Sequence, residues 1–402
     1  MYVSAGLRQT PKGKRKSMGH ELELYFHIPF CVRKCFYCDF LSGPADTETI
    51  ERYMEALLAE TEGSADAYAK YSVCSVFIGG GTPSVAPVSR IERLMEAVKR
   101  AYRLAEDAEV TIEVNPGTVS ENGLARYRQA GINRLSIGLQ SAHNEELAAI
   151  GRIHTWEAFL DTYGQARRAG FENVNVDIMS ALPGQTLSRY RQTLERILSL
   201  NPPPEHISAY SLILEEGTPL FERYGKESQD NSDIPDEDTD RAMYQETKEI
   251  LGEKGYGRYE ISNYAKEGFA CRHNCGYWQR RSYAGFGIGS ASLVGNVRFR
   301  NGESLSAYLE NPLGCREEVR HLSREEQMEE FMFLGLRMTE GVDAGKFRQL
   351  FGCDMWEVYG KVIEKNIRDG LLAAVSDAVL GRLALTEKGL DVSNYVMAQF
   401  LL

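Results

Sequence analysis

With 402 residues, the chain is long enough for one barrel-sized domain plus a smaller one. Hydrophobic residues make up 43% and charged residues 26%, the balance of a soluble globular protein, and 57 acidic against 46 basic side chains leave a formal net charge of −11. That balance argues against a nucleic-acid binder, which needs a basic face, and no apolar run approaches the roughly 18 residues of a membrane span.

Residues 1–19 carry Arg8, Lys12, Lys14, Arg15 and Lys16 with no acid before Glu21 and no apolar centre. This is not a secretory signal. It reads as a disordered extension, with Met18 as a plausible start; a transit peptide is the alternative. The first strand is expected over Leu22–Ile28. It runs into Cys31, Cys35 and Cys38, a C-x3-C-x2-C spacing on one loop. Three local thiolates can surround one iron–sulfur cube. Cubanes are usually held by four cysteines, so three leave one iron open to a small chelating ligand. A structural zinc site is the rival, although zinc prefers paired C-x2-C units or added histidines. A disulfide framework does not suit a large chain without a secretory signal. The eight cysteines as a whole suit a reducing, cytoplasmic interior with one metal site.

Further strands are expected at Val73–Gly79, Glu109–Val114, Arg134–Leu139, Val174–Met179 and His206–Ile213, each short, apolar and rich in β-branched residues. Between them lie amphipathic stretches at Thr47–Lys70, Ser89–Tyr102, Glu121–Ala130 and Thr155–Ala169. Gly131 and Gly170 follow two of these, where helix ends favour glycine. Six βα units imply a parallel sheet. They are too few for a closed eight-stranded barrel; a partial (β/α)6 barrel fits, and an open doubly wound sheet is also permitted. The strand ends carry Gly79-Gly-Gly-Thr-Pro83, Glu113, Gln140, Arg152 and Asp177. Charged residues inside buried strands need partners, and Arg152 or a cationic ligand would serve Glu113 and Asp177. An acidic stretch, Lys226–Asp240, reads as a surface loop leading into a helix near Pro235 that ends at Gly255. From Glu318 the pattern becomes helix–helix, then Gly370-Leu-Leu, Arg382-Leu-Ala-Leu-Thr and a last helix, a small winged-helix-like module. The acidic charge balance makes it a lid or docking module rather than a DNA binder.

The cysteine loop, in Tyr25-x-His-Ile-Pro-Phe-Cys, resembles the signature of the radical S-adenosylmethionine (SAM) superfamily. With Gly-Gly-Gly-Thr-Pro and Asp177-x5-Pro183-Gly-Gln-Thr, the chain resembles the oxygen-independent coproporphyrinogen III oxidase family over residues 20–400. The resemblance implies an α/β fold, a partial (β/α)6 radical SAM barrel at 20–257 with a C-terminal winged-helix-like domain at 318–402. It also implies a [4Fe–4S] cluster on Cys31, Cys35 and Cys38, an open iron that binds SAM, and an electron donor such as flavodoxin or ferredoxin. On the family pattern, Tyr25, Gly80, Glu113 and the segment near Ser211 line the SAM. Tyr37, Gly81, Thr82, Gln140, Arg152 and Asp177 match positions that contact a second SAM in the oxidase.

Two features point to one branch. The oxidase pattern has a cysteine two positions after the third ligand, where this chain has Phe40. His273-Asn-Cys-Gly-Tyr-Trp278 is similar to the H-N-x-x-Y-W motif of the heme-chaperone branch, HemW. That branch implies heme as a ligand, an unidentified heme-acceptor protein as partner, and no required turnover. It makes residues 258–317 a heme-motif segment that closes the core. His273 is then a candidate heme ligand, with a buried structural histidine as the alternative. Cys271 and Cys275 flank it as a redox pair, a soft metal site or incidental residues. The family alternatives are the oxidase reaction itself and heme degradation by a radical SAM methyltransferase.

Overall fold

The computed structural model describes residues 20–225, 233–375 and 381–402. The extension at 1–19 and residues 226–232 of the acidic stretch fall outside these residues. Six parallel strands form the centre of the molecule: β1 (His20–Ile28), β2 (Tyr71–Gly80), β3 (Leu104–Val114), β4 (Arg134–Gln140), β5 (Val174–Ser180) and β6 (His206–Ser211). They lie side by side in sequence order, and β1 does not pair with β6, so the barrel is partial. The strand bounds exceed the predicted ones by one or two residues at five ends and by five at the start of β3, and five ends coincide with the prediction. The last strand stops two residues short of the predicted Ile213.

The helices between the strands follow from the sequence pattern. In Val88–Ala101, Ile91, Leu94, Met95 and Val98 make one apolar face and are all buried. In Trp156–Arg168, the Thr155 hydroxyl accepts the Ala158 N–H at 3.3 Å and caps the first turn. Gly131 and Gly170 adopt φ of 98° and 87° after their helices, a backbone that L side chains avoid. The stretch predicted as Thr47–Lys70 breaks at Ser64 into a helix, Thr47–Gly63, and a single 3-10 turn, Ala65–Tyr68.

One pattern decides between the two permitted architectures. The outward residues of each strand are apolar and buried under helices: Leu22, Leu24 and Phe26; Val76 and Ile78; Ile112 and Val114; Ile137 and Leu139; Val176 and Ile178. The alternate residues are polar: Glu23 and His27; Ser75; Glu109, Thr111 and Glu113; Arg134 and Ser136; Asn175 and Asp177; His206 and Ser208. A doubly wound sheet needs apolar side chains on both faces. This sheet has one apolar outer face and one polar inner face, so it curls around a polar interior.

The chain then crosses the open mouth of the barrel. Two short strands extend the β6 edge: β8 (Asn263–Ala265) pairs antiparallel with β6, and β7 (Gly257–Arg258) pairs antiparallel with β8. The helix Arg272–Trp278 follows and packs inside, with His273 stacked 5.1 Å from Phe77 and the Glu109 carboxylate accepting the N–H groups of Arg272 and His273 at 3.1 and 3.2 Å. The chain emerges at the opposite edge as β9 (Ser282–Phe286), parallel to β1, and continues through the antiparallel strands β10 (Ala291–Val294), β11 (Val297–Asn301) and β12 (Arg316–His321). This extension is tied to the first helix by Glu60. Its carboxylate is 4% exposed and accepts from Gly287 N at 2.8 Å, Asn301 Nδ2 at 2.7 Å and Tyr308 OH at 2.7 Å.

The C-terminal part has its own apolar cluster, from Met328 to Phe400. Its order is helix Arg324–Gly335, β13 (Val342–Asp343), helices Ala344–Phe351 and Met355–Arg368, then β14 (Leu372–Val375) and β15 (Arg382–Leu385). The three strands form a small antiparallel sheet in the order β13-β15-β14. Strands β14 and β15 fall where the sequence reading puts them, while a short strand, β13, and a third helix interrupt the expected helix–helix pair, and Glu318 itself lies in β12. Among the described residues, no helix is long and apolar enough to cross a membrane.

Candidate functional site

The loop after β1 is held from both sides. Cys31 N donates to Gly43 O at 3.0 Å and Gly43 N to Pro29 O at 3.0 Å, closing the loop on itself. Phe36 N donates to Ile150 O at 3.0 Å, and Arg33 Nη2 to Gly151 O at 2.9 Å, anchoring it to the connection after β4. Cys31, Cys35 and Cys38 are free thiols that line one pocket at the C-terminal ends of β1–β5. Burial, followed by the neighbouring thiols, holds Cys31 above its ordinary range, and burial raises Cys38. Among the described residues, no three donors converge closely enough to hold a single metal ion. A cubane presents a different iron to each thiolate, so its ligands stand further apart than those of one ion. The donor set fits such a cluster: three thiols on one loop, with no fourth cysteine on the pocket wall.

The glycine run is fastened to this loop. Gly81 N donates to Ile28 O at 2.9 Å and Thr82 N to Phe30 O at 2.6 Å. Gly80 has φ of 114°, and a Cβ on Gly81 would lie 2.5 Å from Phe30 O. A side chain on Gly81 would displace the backbone entering the cysteine loop, and one on Gly80 would meet the His27 ring of β1 from a left-handed backbone, so glycine here is a requirement of close approach.

Glu113 projects from β3 into the pocket, where its Oε2 accepts Gly80 N–H at 3.2 Å. Burial, with nearby Asp177, pushes its carboxyl up to about 8. Asp177 is also raised by burial. It accepts Asn175 Nδ2 at 2.8 Å and Ser136 Oγ at 3.0 Å. Arg152 reaches neither carboxylate, which corrects the expected ion pair. Its guanidinium instead donates to Asn115 Oδ1 at 3.0 Å, to Gly138 O and to Cys35 Sγ at 3.6 Å. Asn115 in turn donates to Thr82 Oγ1 at 2.8 Å. Asn115 therefore links β2, β3 and the cysteine loop; it was absent from the sequence reading, although it follows Glu113 in the same Ile-Glu-Val-Asn-Pro run. Gln140, at the end of β4, has φ of 74°, and the β4–β5 register shifts at this point. A non-glycine residue in that region stores strain, and a bulge re-aims the side chain. Gln140 lines the pocket with Tyr37.

The structure gathers Cys31, Cys35, Cys38, Tyr37, Gly80, Gly81, Thr82, Glu113, Gln140, Arg152 and Asp177 around one pocket. Three expected residues lie elsewhere. Tyr25 OH meets His27 Nδ1 at 3.0 Å, and its ring lines a second, aromatic cavity. Ser211 is exposed and donates to Asp240 Oδ2 at 2.5 Å, beside a third cavity against the C-terminal part. His273 is 1% exposed. Its Nδ1 meets Ser75 Oγ at 2.9 Å and its Nε2 meets Tyr277 OH at 3.1 Å, so as placed the ring offers no free nitrogen to an iron. Burial lowers it to about 3, which keeps it neutral. The geometry corrects the ligand expectation and gives His273 the role of seating the inner helix. Cys271 is wholly buried and raised by that burial, and burial pushes Cys275 up to about 12; neither has thiolate character. Phe40 stands at the pocket mouth, 61% exposed.

Residues 25–197 match the radical SAM superfamily model and residues 322–392 the HemN C-terminal domain model. The chain is 36% identical to the heme chaperone HemW of Lactococcus lactis, covering 94% of this chain and 97% of that protein. It is 33% identical to HemW of Bacillus subtilis (94% and 98% covered) and 35% identical to the mitochondrial radical S-adenosyl methionine domain-containing protein 1 of Danio rerio (97% and 87%). The structure superposes on coproporphyrinogen III oxidase (HemN) from Escherichia coli with a TM-score of 0.80 at 23% identity, covering 95% of this chain and 90% of that one. The last likeness establishes the fold.

Proposed function

We propose a function from one premise: the chain belongs to the HemW family of radical SAM proteins. It is a heme chaperone that carries a [4Fe–4S] cluster on Cys31, Cys35 and Cys38, binds SAM beside it, and passes heme to an acceptor protein. The observation that carries this reading is the near full-length match to curated heme chaperones at 33–36% identity. Phe40 supports it over the oxidase reading, because it stands where the oxidase pattern has a cysteine.

The pocket residues have definite tasks in this reading. When bound, the reduced cluster would supply one electron to the SAM sulfonium, chemistry that belongs to the cofactors. The Gly80–Gly81 backbone lets SAM approach the open side of the cysteine loop. Glu113, whose carboxyl burial raises, would give up its proton to pair with the cationic amine. Arg152 holds Asn115 and the Cys35 sulfur in register. Asp177, Gln140 and Tyr37 form the far wall.

SAM should perturb the EPR signal of the reduced cluster, and Glu113→Gln, which leaves the cysteine loop in place, should weaken that response while iron content stays near normal. An unchanged spectrum at saturating SAM would remove the SAM site. Glu113→Gln adds a test with a sign. The wild-type carboxyl is raised from 4.5 to about 8 on folding. Below the lower value both states are protonated and folding bears no cost. Between the two values the cost grows with pH, and above about 8 it is constant, of the order of a few kcal/mol. Glu113→Gln should therefore melt at a higher temperature than wild type at pH 8–9 and with little difference near pH 4.5, while responding less to SAM. Equal melting at both pH values would show that Glu113 bears no such burial cost.

The chaperone reading itself is tested on one anaerobically reconstituted sample. The expected result is heme binding with a defined Soret band and no consumption of coproporphyrinogen III. Sustained decarboxylation would transfer the chain to the oxidase reading, and SAM-dependent ring opening to heme degradation. His273→Ala should lower stability and leave the Soret maximum in place.

A further inference from the structure

The aromatic cavity that Tyr25 lines is separate from the cysteine pocket. It lies on the inner face of β9–β11, beyond the barrel edge, and is closed by the inner helix Arg272–Trp278 and the C-terminal helix Arg324–Gly335. Tyr277, Trp278, Tyr283 and Phe333 supply aromatic walls, and Leu293 and Leu334 add aliphatic ones. Its volume is about 330 Å³, within the range of roughly 300–1,000 Å³ usual for small-molecule sites.

The charges in this apolar setting do not balance. Glu330 is 5% exposed, and both of its oxygens are taken: Arg280 Nε donates to Oε2 at 2.8 Å and Arg298 Nη2 to Oε1 at 2.9 Å. Two guanidiniums thus share one carboxylate. Arg298 Nε and Trp278 Nε1 are buried donors without a partner. Both N–H groups are free to donate to a ligand. Aromatic walls beside two guanidiniums suit a flat apolar ligand that carries acid groups. No glycine-rich turn lines the cavity to cradle a phosphate.

We propose that this cavity is the heme site. The ring lies against Tyr277, Trp278, Tyr283 and Phe333, and its two propionates pair with Arg280 and Arg298, releasing Glu330. The proposal rests on the heme-carrier reading and adds a location, an anion-binding pair and a competitor. Glu330 belongs to the C-terminal helix while its arginine partners belong to the barrel side. Filling the site therefore removes two ion pairs that hold that helix down. Emptying the site restores them, so the helix is fastened without heme and freed with it.

The test uses the full-length protein titrated with hemin and with hemin dimethyl ester, which keeps the ring and masks both propionates. Wild type should bind hemin more tightly than the ester. Arg298→Gln should weaken hemin by roughly ten- to a hundredfold, the loss of one charge-assisted pair, and leave the ester unchanged. Glu330→Gln should strengthen hemin and leave the ester unchanged. Ester binding reports that each variant is folded. Equal binding of hemin and ester by wild type, or equal weakening of both ligands in Glu330→Gln, would overturn the proposal while the carrier reading stands. No Soret band with either ligand would remove the carrier reading and this site with it.

Discussion

Anaerobic reconstitution of the wild-type chain should give about four irons per molecule, and replacing Cys31, Cys35 and Cys38 together with alanine should abolish that content. Each thiolate holds a different iron of the cube, so even a single replacement leaves too few bonds to keep the cluster through gel filtration. Cys74→Ala is the control. Cys74 is buried on β2, where its thiol donates to Leu22 O at 3.4 Å and lies 3.3 Å from Arg281 Nη1. Its loss should leave iron content unchanged. Iron that persists in the triple variant, or that depends on Cys271 or Cys275, would contradict the assignment. So would zinc at one ion per chain in protein isolated without added iron.

The largest structural effect should come from Glu60. Its carboxylate receives three buried donors, and in Glu60→Ala the Gly287 N–H, the Asn301 amide and the Tyr308 hydroxyl lose their partner together. A buried donor left unpaired costs about 1–3 kcal/mol, so the variant should lose at least roughly 3 kcal/mol, read as a fall in the urea midpoint. Glu60→Gln should lose less. Burial already raises the Glu60 carboxyl, so removing its charge offsets part of the broken bonding, although the amide nitrogen cannot accept. The loss should appear first at β9–β11, whose amides should exchange faster with deuterium while β3–β5 keep their protection. A loss under about 1 kcal/mol would mean that the extension is held by packing alone.

How much of this was legible beforehand depended on the distance over which each feature is built. The cysteine ligands share one loop, and the glycine run shares one strand end, so their chemistry is written in local spacing. The helices announced themselves by caps and periodicity, as at Thr155 and Gly170. The choice between barrel and doubly wound sheet was also present, in the polar residue at every second place of Glu23–His27, Glu109–Glu113 and Asn175–Asp177. Reading those strands only as apolar runs hid it. That signal becomes decisive once register aligns the polar places of six strands on one face.

Other features had no local trace. Arg152 stands in the pocket as expected, yet its partners are Asn115, Gly138 and Cys35, set by how β3, β4 and the loop meet. His273 carried the strongest motif in the second half of the chain. Its sequence could not show that strand β2 would cover it with Ser75 and Phe77, leaving Tyr277 and Trp278 to face a cavity. Arg280, Arg298 and Glu330 come from a turn, a strand and a separate helix, up to fifty residues apart, and read singly they are ordinary surface charges.

The sequence by itself determined the family, the three thiol ligands and the order of the βα units, because these rest on neighbours along the chain and on backbone periodicity. The tertiary structure alone decided which polar residues pair inside the barrel and which side of the inner helix meets the aromatic cavity. Those outcomes depend on desolvation and on competition among many possible partners, and both are settled only when strands and helices are packed against one another.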